Sequence, residues 1–272
     1  ASEAGASSGR GVSSGGGTSS ETALQNAADA LANLAVDPAA RDEIVASGGI
    51  DPLVALLTDQ GPSTKKYAAS ALARLSKDHE ATQLAVAAAG AIVPLVALLD
   101  GNEGPDAQEA SAGAILELAS HKENRMTITE SGGIGWLVML LGSNNQRARE
   151  HAEGALVKLS IENANRVLII KKLVAMLQET GATKDGEAKD GDASLHGGRE
   201  DAAASAASAA SAAKAQEQAA AALVNLARES EDNRKSIVEA NGILPLLELL
   251  DSASSKAKEN AVGAIKELCR NS

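Results

Sequence analysis

The sequence contains no phenylalanine, one tyrosine (Tyr67) and one tryptophan (Trp136), so aromatic residues make up only 1% of its 272 residues. Compact globular cores draw much of their buried area from aromatic side chains. A chain whose apolar residues are mainly Leu, Ile, Val and Ala instead suits small helices packed closely in series. The shortage of aromatics therefore favours an all-α repeat protein over a β-sandwich or a doubly wound fold.

Cysteine and long apolar runs are also scarce. The single cysteine, Cys269, has no partner for an intramolecular disulfide, so the chain does not require an oxidising compartment. The longest uncharged apolar stretch, 84–99, is too short to span a bilayer and is interrupted by Gly90 and Pro94. We therefore expect no direct membrane insertion and a cytoplasmic location. The alternative is an organelle interior reached after removal of a targeting peptide, since the chain does not begin with Met.

Positive charge is in deficit. The 25 Lys and Arg residues stand against 36 Asp and Glu residues, which gives a formal net charge of −11 at pH 7. Because such a chain repels phosphate backbones, and because no Lys/Arg run exceeds two residues, the sequence predicts no nucleic-acid binding.

Catalytic and metal-binding patterns are missing as well. The four histidines, His79, His121, His151 and His196, lie far apart, with no i,i+4 pairing and no cysteine partner. A metal site needs convergent N, S or O ligands. The glycine runs lack the strand context and the lysine of a phosphate-binding loop. We therefore expect a protein that is not an enzyme and holds no metal or cofactor.

Two motifs do recur, with a period near 42 residues. An apolar motif places its second leucine at Leu34, Leu75, Leu118, Leu159, Leu226 and Leu268, in steps of 41, 43, 41, 67 and 42 residues. Between these leucines, an apolar helix pattern follows a turn at Gly48, Gly90, Gly132 and Asn241. Two independent motifs that keep one register indicate tandem repeats.

Each unit is predicted to contain three helices. A short first helix ends at the Gly or Asn turn, since these residues tolerate the left-handed conformation found at helix C-termini. Pro52, Pro94 and Pro245 stand at the start of the second helix, where a missing N–H costs nothing. A polar turn and a third helix ending in the leucine motif complete the unit. No unit buries its apolar face alone, so neighbouring units must stack.

Residues 123–134 (ENRMTITESGGI) and 232–243 (DNRKSIVEANGI) resemble the armadillo repeat family. The resemblance covers about 21–178 and 214–272 and implies an all-α fold, a right-handed α-solenoid of armadillo-type three-helix repeats. HEAT repeats are the structural alternative, but their units normally have two helices and lack this glycine turn.

The predicted organisation has four parts. They are a disordered Gly/Ser-rich tail (1–20), armadillo repeats (21–178: a partial first, three full and the start of a degenerate fourth), an insertion (179–213: an acidic loop and an Ala-rich helical extension), and the end of the fourth repeat with the fifth (214–272). The fourth unit lacks the glycine turn, so its first two helices are predicted to fuse. The insertion either contacts a partner or is a tolerated surface loop.

Two single residues depart from the repeat pattern. Cys269 takes the small-residue slot filled elsewhere by Ala35, Ser76, Ala119, Ser160 and Ala227, so we expect a buried structural thiol. Trp136 replaces the proline at the start of the second helix in the third full repeat. It is either an exposed contact on the rim or packs over the neighbouring turn.

The resemblance implies that the third helices line a concave groove in which partners commonly lie extended. Nuclear-import adaptors of this family grip the ligand backbone with a ladder of asparagines preceded by tryptophans. The matching positions here are Asn33, Arg74, Glu117, Lys158, Asn225 and Glu267, with no tryptophan before them. This departure argues against basic nuclear-localisation peptides as ligands.

The candidate protein-binding residues all lie on the predicted third helices: Asn26, Asn33, Tyr67, Arg74, Glu117, His151, Lys158 and Asn225. Ordinary solvated side chains are the plain alternative. Glu117 stands between Arg74 and Lys158, so an extended ligand with spaced acidic groups fits better than a wholly acidic one. Gly113, Gly154 and Gly263 either admit a ligand backbone or ease packing between units, and we favour packing.

These features predict a non-enzymatic adaptor or scaffold that binds a protein or extended peptide through the groove, and through the insertion in one version of this hypothesis. The alternative is a structural subunit of a large organellar or ciliary assembly, whose several neighbouring subunits would order the tail and the insertion.

Overall fold

The computed structural model describes residues 16–58, 61–178 and 198–271. These residues form helices joined by turns, and none of them forms a strand. Residues 1–15 of the predicted tail and residues 179–197 of the predicted insertion lie outside the described residues. Within the described part, no single helix is long and apolar enough to cross a membrane; α5 (Glu80–Ala88) and α6 (Ile92–Leu98) pass that test only as a pair bent by 86°.

The helices follow one another as repeats, after a lone third helix, α1 (Gly16–Leu34). The first full repeat holds α2 (Pro38–Ala46), α3 (Ile50–Ala55) and α4 (Pro62–Ser76). The second holds α5, α6 and α7 (Pro105–Leu118). The third holds α8 (Lys122–Glu130), α9 (Gly133–Leu140) and α10 (Gln146–Leu159).

The fourth repeat is formed by α11 (Asn163–Gln178) and α12 (Gly198–Glu229), and the last by α13 (Glu231–Glu239), α14 (Ile243–Glu248) and α15 (Ser255–Leu268). Short 3₁₀ turns follow at Leu249–Asp251 and Cys269–Asn271. The predicted all-α solenoid of three-helix repeats is confirmed. The predicted fusion in the fourth repeat is also confirmed, because α11 is one uninterrupted helix. α1 begins at Gly16, so 16–20 of the predicted tail are helical.

Local sequence signals begin and end these helices. Side-chain oxygens or nitrogens of the residue before the helix accept a backbone N–H in the first turn at Asp37, His79, Asn145, Ser230 and Ser254. First helices end in residues with positive φ, at Gly48 (75°), Gly90 (81°), Gly132 (81°) and Asn241 (59°). These are the turns predicted from the repeated motif, and they bend the chain from the first helix into the second.

The core runs along the solenoid as a continuous apolar layer. The repeated leucines of the inner repeats, Leu75, Leu118 and Leu159, are completely buried. The isoleucine that opens the second helix is buried in the first three full repeats, at Ile50, Ile92 and Ile134, whereas its equivalent in the last repeat, Ile243, is 41% exposed. Burial of these positions therefore depends on the following repeat, as expected for stacked units.

Side chains of the first helices tie each repeat to the one before it. Asn124 Nδ2 donates to Leu118 O at 3.0 Å, and Asn233 Nδ2 donates to Leu226 O at 2.7 Å. Such bonds satisfy carbonyls that a helix C-terminus leaves without partners. At the fourth repeat, among the described residues, the equivalent Asn165 makes no such bond, and neighbouring Arg166 instead donates to Asn163 Oδ1 at 2.7 Å.

The prediction that Cys269 is buried was wrong. Its equivalents Ala35, Ser76, Ala119, Ser160 and Ala227 are all buried, but Cys269 is exposed. In the inner repeats the next unit covers this position, whereas the described chain has no repeat after α15 to cover it.

Candidate functional site

The exposed sides of the third helices form one continuous surface, which we call the groove. α1, α4, α7 and α10 pack side by side in that order, and α12 packs against α15. α10 and α12 touch each other only sparsely. The groove therefore has a long section from α1 to α10 and a short section from α12 to α15.

The long section contains an open concavity of about 500 Å³ that spans α1 to α10. Four of the eight predicted site residues line it, namely Tyr67, Arg74, Glu117 and His151. The structure does not place Asn26, Asn33, Lys158 or Asn225 in its lining. The sequence candidates did not include Lys66, Lys77, Asp106 and Arg147, which also line it.

Arg74 reaches back to the preceding repeat. Its Nη1 donates to Asn33 Oδ1 at 2.7 Å and to Ala32 O at 3.2 Å. Neither partner is a carboxylate, and Arg74 remains exposed while it lines the concavity. The bridge joins two predicted site residues, Arg74 and Asn33, and fixes the position of this cation.

Lys158 makes the same kind of contact two repeats later. Its Nζ donates to Leu116 O and to Ser120 Oγ, both at 3.0 Å. Lys158 is half-buried and lies outside the concavity. Arg74 and Lys158 therefore do not face one shared cavity.

Glu117 lies between these two cations and is half-buried. Burial raises the pKa of its carboxyl group, while the positive charges of Lys158 and Lys77 act in the opposite direction. A partly desolvated carboxylate gains more from a cationic or hydrogen-bond-donating ligand than a fully hydrated one does.

Tyr67 supplies the aromatic surface of the concavity. It is half-buried and packs against the core, with Lys66 Nζ 5.4 Å from its ring centroid. Lys66 also donates to Asp106 Oδ2 at 2.8 Å, and this hydrogen bond raises the pKa of the lysine. The cation is thus held over the ring by a carboxylate from the next repeat.

His151 closes the concavity at α10. Its Nδ1 lies 3.3 Å from Glu109 O, and its ring occupies the space beside Gly113, where a Cβ would come within 3.2 Å of the imidazole. A Cβ on Gly154 would lie 3.0 Å from Leu116, and one on Gly263 would lie 3.3 Å from Val224. These glycines therefore lie against side chains of a neighbouring repeat, as the packing interpretation expects, and Gly113 also lines the concavity.

The remaining candidates lie elsewhere. Asn225 donates from Nδ2 to Glu153 Oε1 across the sparse contact between α10 and α12. Asn26 is exposed on α1. In the described ranges, no three His, Cys, Asp or Glu side chains are placed to hold a metal ion.

The comparisons with known proteins agree with this architecture. Residues 37–77 and 230–270 match the family description Armadillo/beta-catenin-like repeat. An engineered protein solved by the Northeast Structural Genomics Consortium superposes with a TM-score of 0.61 at 27% identity, covering 91% of this chain and 91% of that one. The chain therefore contains armadillo repeats within an all-α solenoid.

Other solved structures share the fold. A second engineered protein from the same consortium gives a TM-score of 0.61 at 25% identity, covering 91% of this chain and 93% of that one. A designed armadillo repeat protein in complex with the peptide (KR)4 gives a TM-score of 0.59 at 22% identity, covering 94% of this chain and 95% of that one. No curated protein matches this armadillo sequence.

Proposed function

We propose that this armadillo repeat protein is a non-enzymatic scaffold that binds an extended polypeptide segment in the long section of its groove. The observation that carries the proposal is the concavity that joins four successive third helices and brings Tyr67, Arg74, Glu117 and His151 together. A chain of this fold is known to hold a peptide, since one neighbour is a designed armadillo repeat protein in complex with (KR)4.

The charges of the concavity favour a ligand of mixed charge. Its cations are Lys66, Arg74, Lys77 and Arg147, and its carboxylates are Asp29, Asp106, Glu109 and Glu117. The two sets balance, in a chain whose net charge is −11. A wholly acidic ligand would meet Glu117, and a wholly basic one would meet Arg74, so like charges would disfavour both.

The size of the groove sets the length of the ligand. Four packed helices at 8–10 Å spacing span roughly 25–30 Å, which about eight or nine extended residues cover. Tyr67 supplies apolar area for one side chain of the ligand, and the charged residues set register and selectivity more than affinity.

A peptide selection tests the proposal. We would select a phage-displayed library of random peptides, each about twelve residues long, on the purified protein. The enriched peptides would then be measured against the variant Arg74→Glu/Arg147→Glu, which reverses two cations of the concavity. A matched control, Lys122→Glu/Lys171→Glu, makes the same charge change on exposed residues of α8 and α11.

We expect mixed-charge peptides that lose at least about tenfold in affinity on the groove variant and keep their affinity on the control. Circular dichroism checks that both variants fold. If the enriched peptides bind both variants equally well, or if selection yields none, the groove is not the binding site.

A further inference from the structure

We infer that a second binding site, for an amphipathic helix of a partner protein, lies in the trough between α9 and α11. The trough is an open cavity of about 670 Å³ separate from the groove. Trp136 and Met139 of α9 form one wall, and Lys172 and Met176 of α11 form the other. The inference does not rest on the proposed function of the groove.

The wall on α9 differs in composition from its counterparts in the other repeats. The position of Trp136 is proline elsewhere (Pro52, Pro94, Pro245), and the position of Met139 is Ala55, Ala97 or Glu248. Trp136 is half-buried and rests on the core, whereas Met139 is 66% exposed. Tryptophan and methionine are enriched at interfaces, and methionine adapts its shape to a bound surface.

The second wall exists because the fourth repeat lacks its glycine turn. α11 is one uninterrupted helix, so Lys172 and Met176 lie one turn apart on the same face, beside α9. Gly135 lines the trough, and a Cβ at that position would make only an ordinary van der Waals contact, 3.9 Å from Lys172 Nζ. Two helices therefore bound the trough with side chains at i,i+3 and i,i+4 spacing, the arrangement that receives the apolar face of a third helix.

The charge of the trough selects the partner. Lys172 is exposed and has no hydrogen-bond or ion-pair partner among the residues that the structure describes. The acidic residue of the trough, Asp100, accepts hydrogen bonds from Asn102 N at 2.8 Å and from Asn102 Nδ2 at 2.7 Å. The site thus offers Lys172, a cation without an ion-pair partner in the described chain, beside the apolar side chains of Trp136, Met139 and Met176. The Asp100 carboxylate keeps its charge but is already engaged by Asn102. Lys172 and the apolar walls fit a helix carrying two apolar residues one turn apart and an acidic residue on the same face.

Trp136 is the only tryptophan of the chain, so its fluorescence reports on this trough alone. The probe is a panel of tryptophan-free, Ala/Gln-based helical peptides of about fifteen residues. Each carries two Leu one turn apart and a Glu either one turn before or one turn after them. Control peptides replace Glu with Lys, or both Leu with Ala.

The matched protein variants are Lys172→Glu and Lys171→Glu. Both residues are exposed and adjacent in sequence, but only Lys172 lines the trough. We expect peptides of one Glu position to shift the Trp136 emission to the blue. At 0.15 M salt, Lys172→Glu should reduce their affinity at least about tenfold, and Lys171→Glu much less. The difference is expected because interactions between exposed charges are screened over about 8 Å at this ionic strength. Both control peptides should bind more weakly.

Three results would overturn the inference: no member of the panel shifts the emission, the two lysine variants weaken binding equally, or the Leu-to-Ala peptide binds as well as its parent. Light scattering on the free protein provides a fourth test. If the chain forms a dimer that Met139→Glu dissociates, then a second copy, and not a partner helix, occupies the trough.

Discussion

Arg74 Nη1 donates a 2.7 Å hydrogen bond to Asn33 Oδ1, and so joins two third helices across a repeat boundary. The same guanidinium donates to Ala32 O at 3.2 Å. A cation expected to point at a ligand is therefore also part of the contact between neighbouring repeats.

We predict that Arg74→Ala lowers the free energy of unfolding by about 0.5–1.5 kcal/mol, since it removes hydrogen bonds to neutral acceptors at an exposed site. Urea denaturation of Arg74→Ala, Asn33→Ala and the double variant measures the coupling between the two side chains. Strictly additive effects of the two substitutions would contradict the bridge.

Gly133, the first residue of α9, gives another prediction. A Cβ on Gly133 would lie 2.8 Å from Ile128 Cγ2 and 2.9 Å from Ile128 O. We expect Gly133→Val to lower stability by about 1–3 kcal/mol through overpacking. Gly133→Ala should cost less, because the second repeat accommodates an alanine, Ala91, at the same position. There the hydrogen bond from Ala91 N to Val86 O is 3.3 Å long, whereas the equivalent bond from Gly49 N to Ile44 O in the first repeat is 2.9 Å long.

Thermal and urea unfolding of both variants check this order. Gly135→Ala is the matched control, since a Cβ there meets nothing closer than Lys172 Nζ at 3.9 Å. If Gly133→Val lowers stability no more than Gly133→Ala does, the backbone around Gly133 is less tightly packed than the structure indicates.

The pH dependence of stability should carry the signature of Glu117. Burial raises the pKa of this carboxyl in the folded protein, so its ionised form is disfavoured by folding and lowers stability at neutral pH. We expect Glu117→Gln to stabilise the protein at pH 7. The gain should shrink as the pH falls through the raised pKa and vanish below the ordinary value of 4.5.

Glu162 provides a control of opposite sign. Its hydrogen bond with Arg125, at 2.9 Å, lowers the pKa of the carboxyl. Glu162→Gln should therefore destabilise the protein above the ordinary pKa, and the loss should fade as the pH falls through the lowered pKa of the folded state. Parallel pH profiles for the two variants would contradict both assignments.

Cys269 should react in the native protein. Because the thiol is exposed, we expect one equivalent of a thiol reagent such as Ellman's reagent to be consumed without denaturant, at a rate close to that of a free thiol. Cys269→Ser should abolish the reaction. A thiol that reacts only after addition of urea would mean that this end of the solenoid is covered in solution.

Much of the fold could be predicted because each repeat carries its own local signals. Gly48, Gly90 and Gly132 mark turns that require positive φ, and the absence of such a residue within 163–178 predicts that the first two helices of the fourth repeat fuse into one. Cys269 could not be placed in the same way, since its exposure is decided by whether another repeat lies beyond it. Sequence spacing determines which positions of a helix face the core, but not whether another repeat packs over them.

The candidate site could be predicted only in outline. Spacing placed Tyr67, Arg74, Glu117 and His151 on successive third helices, and the structure brings these four to one concavity. A long side chain can reach several polar groups, and sequence spacing does not say which of them it contacts. Neither the hydrogen bond from Arg74 to Asn33 nor the one from Lys158 to Leu116 O could therefore be predicted from the sequence. Whether these residues bind a partner stays a prediction.

The uninterrupted α11 also has a consequence for how the solenoid unfolds. In stacked repeats, stability is a sum of unit terms and nearest-neighbour terms, and a weak neighbour term divides the array into separate cooperative blocks. At the third-to-fourth junction α10 and α12 touch sparsely, and within the described ranges Asn165 makes no bond like those of Asn124 and Asn233 to the preceding repeat. Amide exchange should therefore distinguish two foldons, α1–α10 and α11–α15, and pulling on the two ends should extend the molecule in two separate force steps.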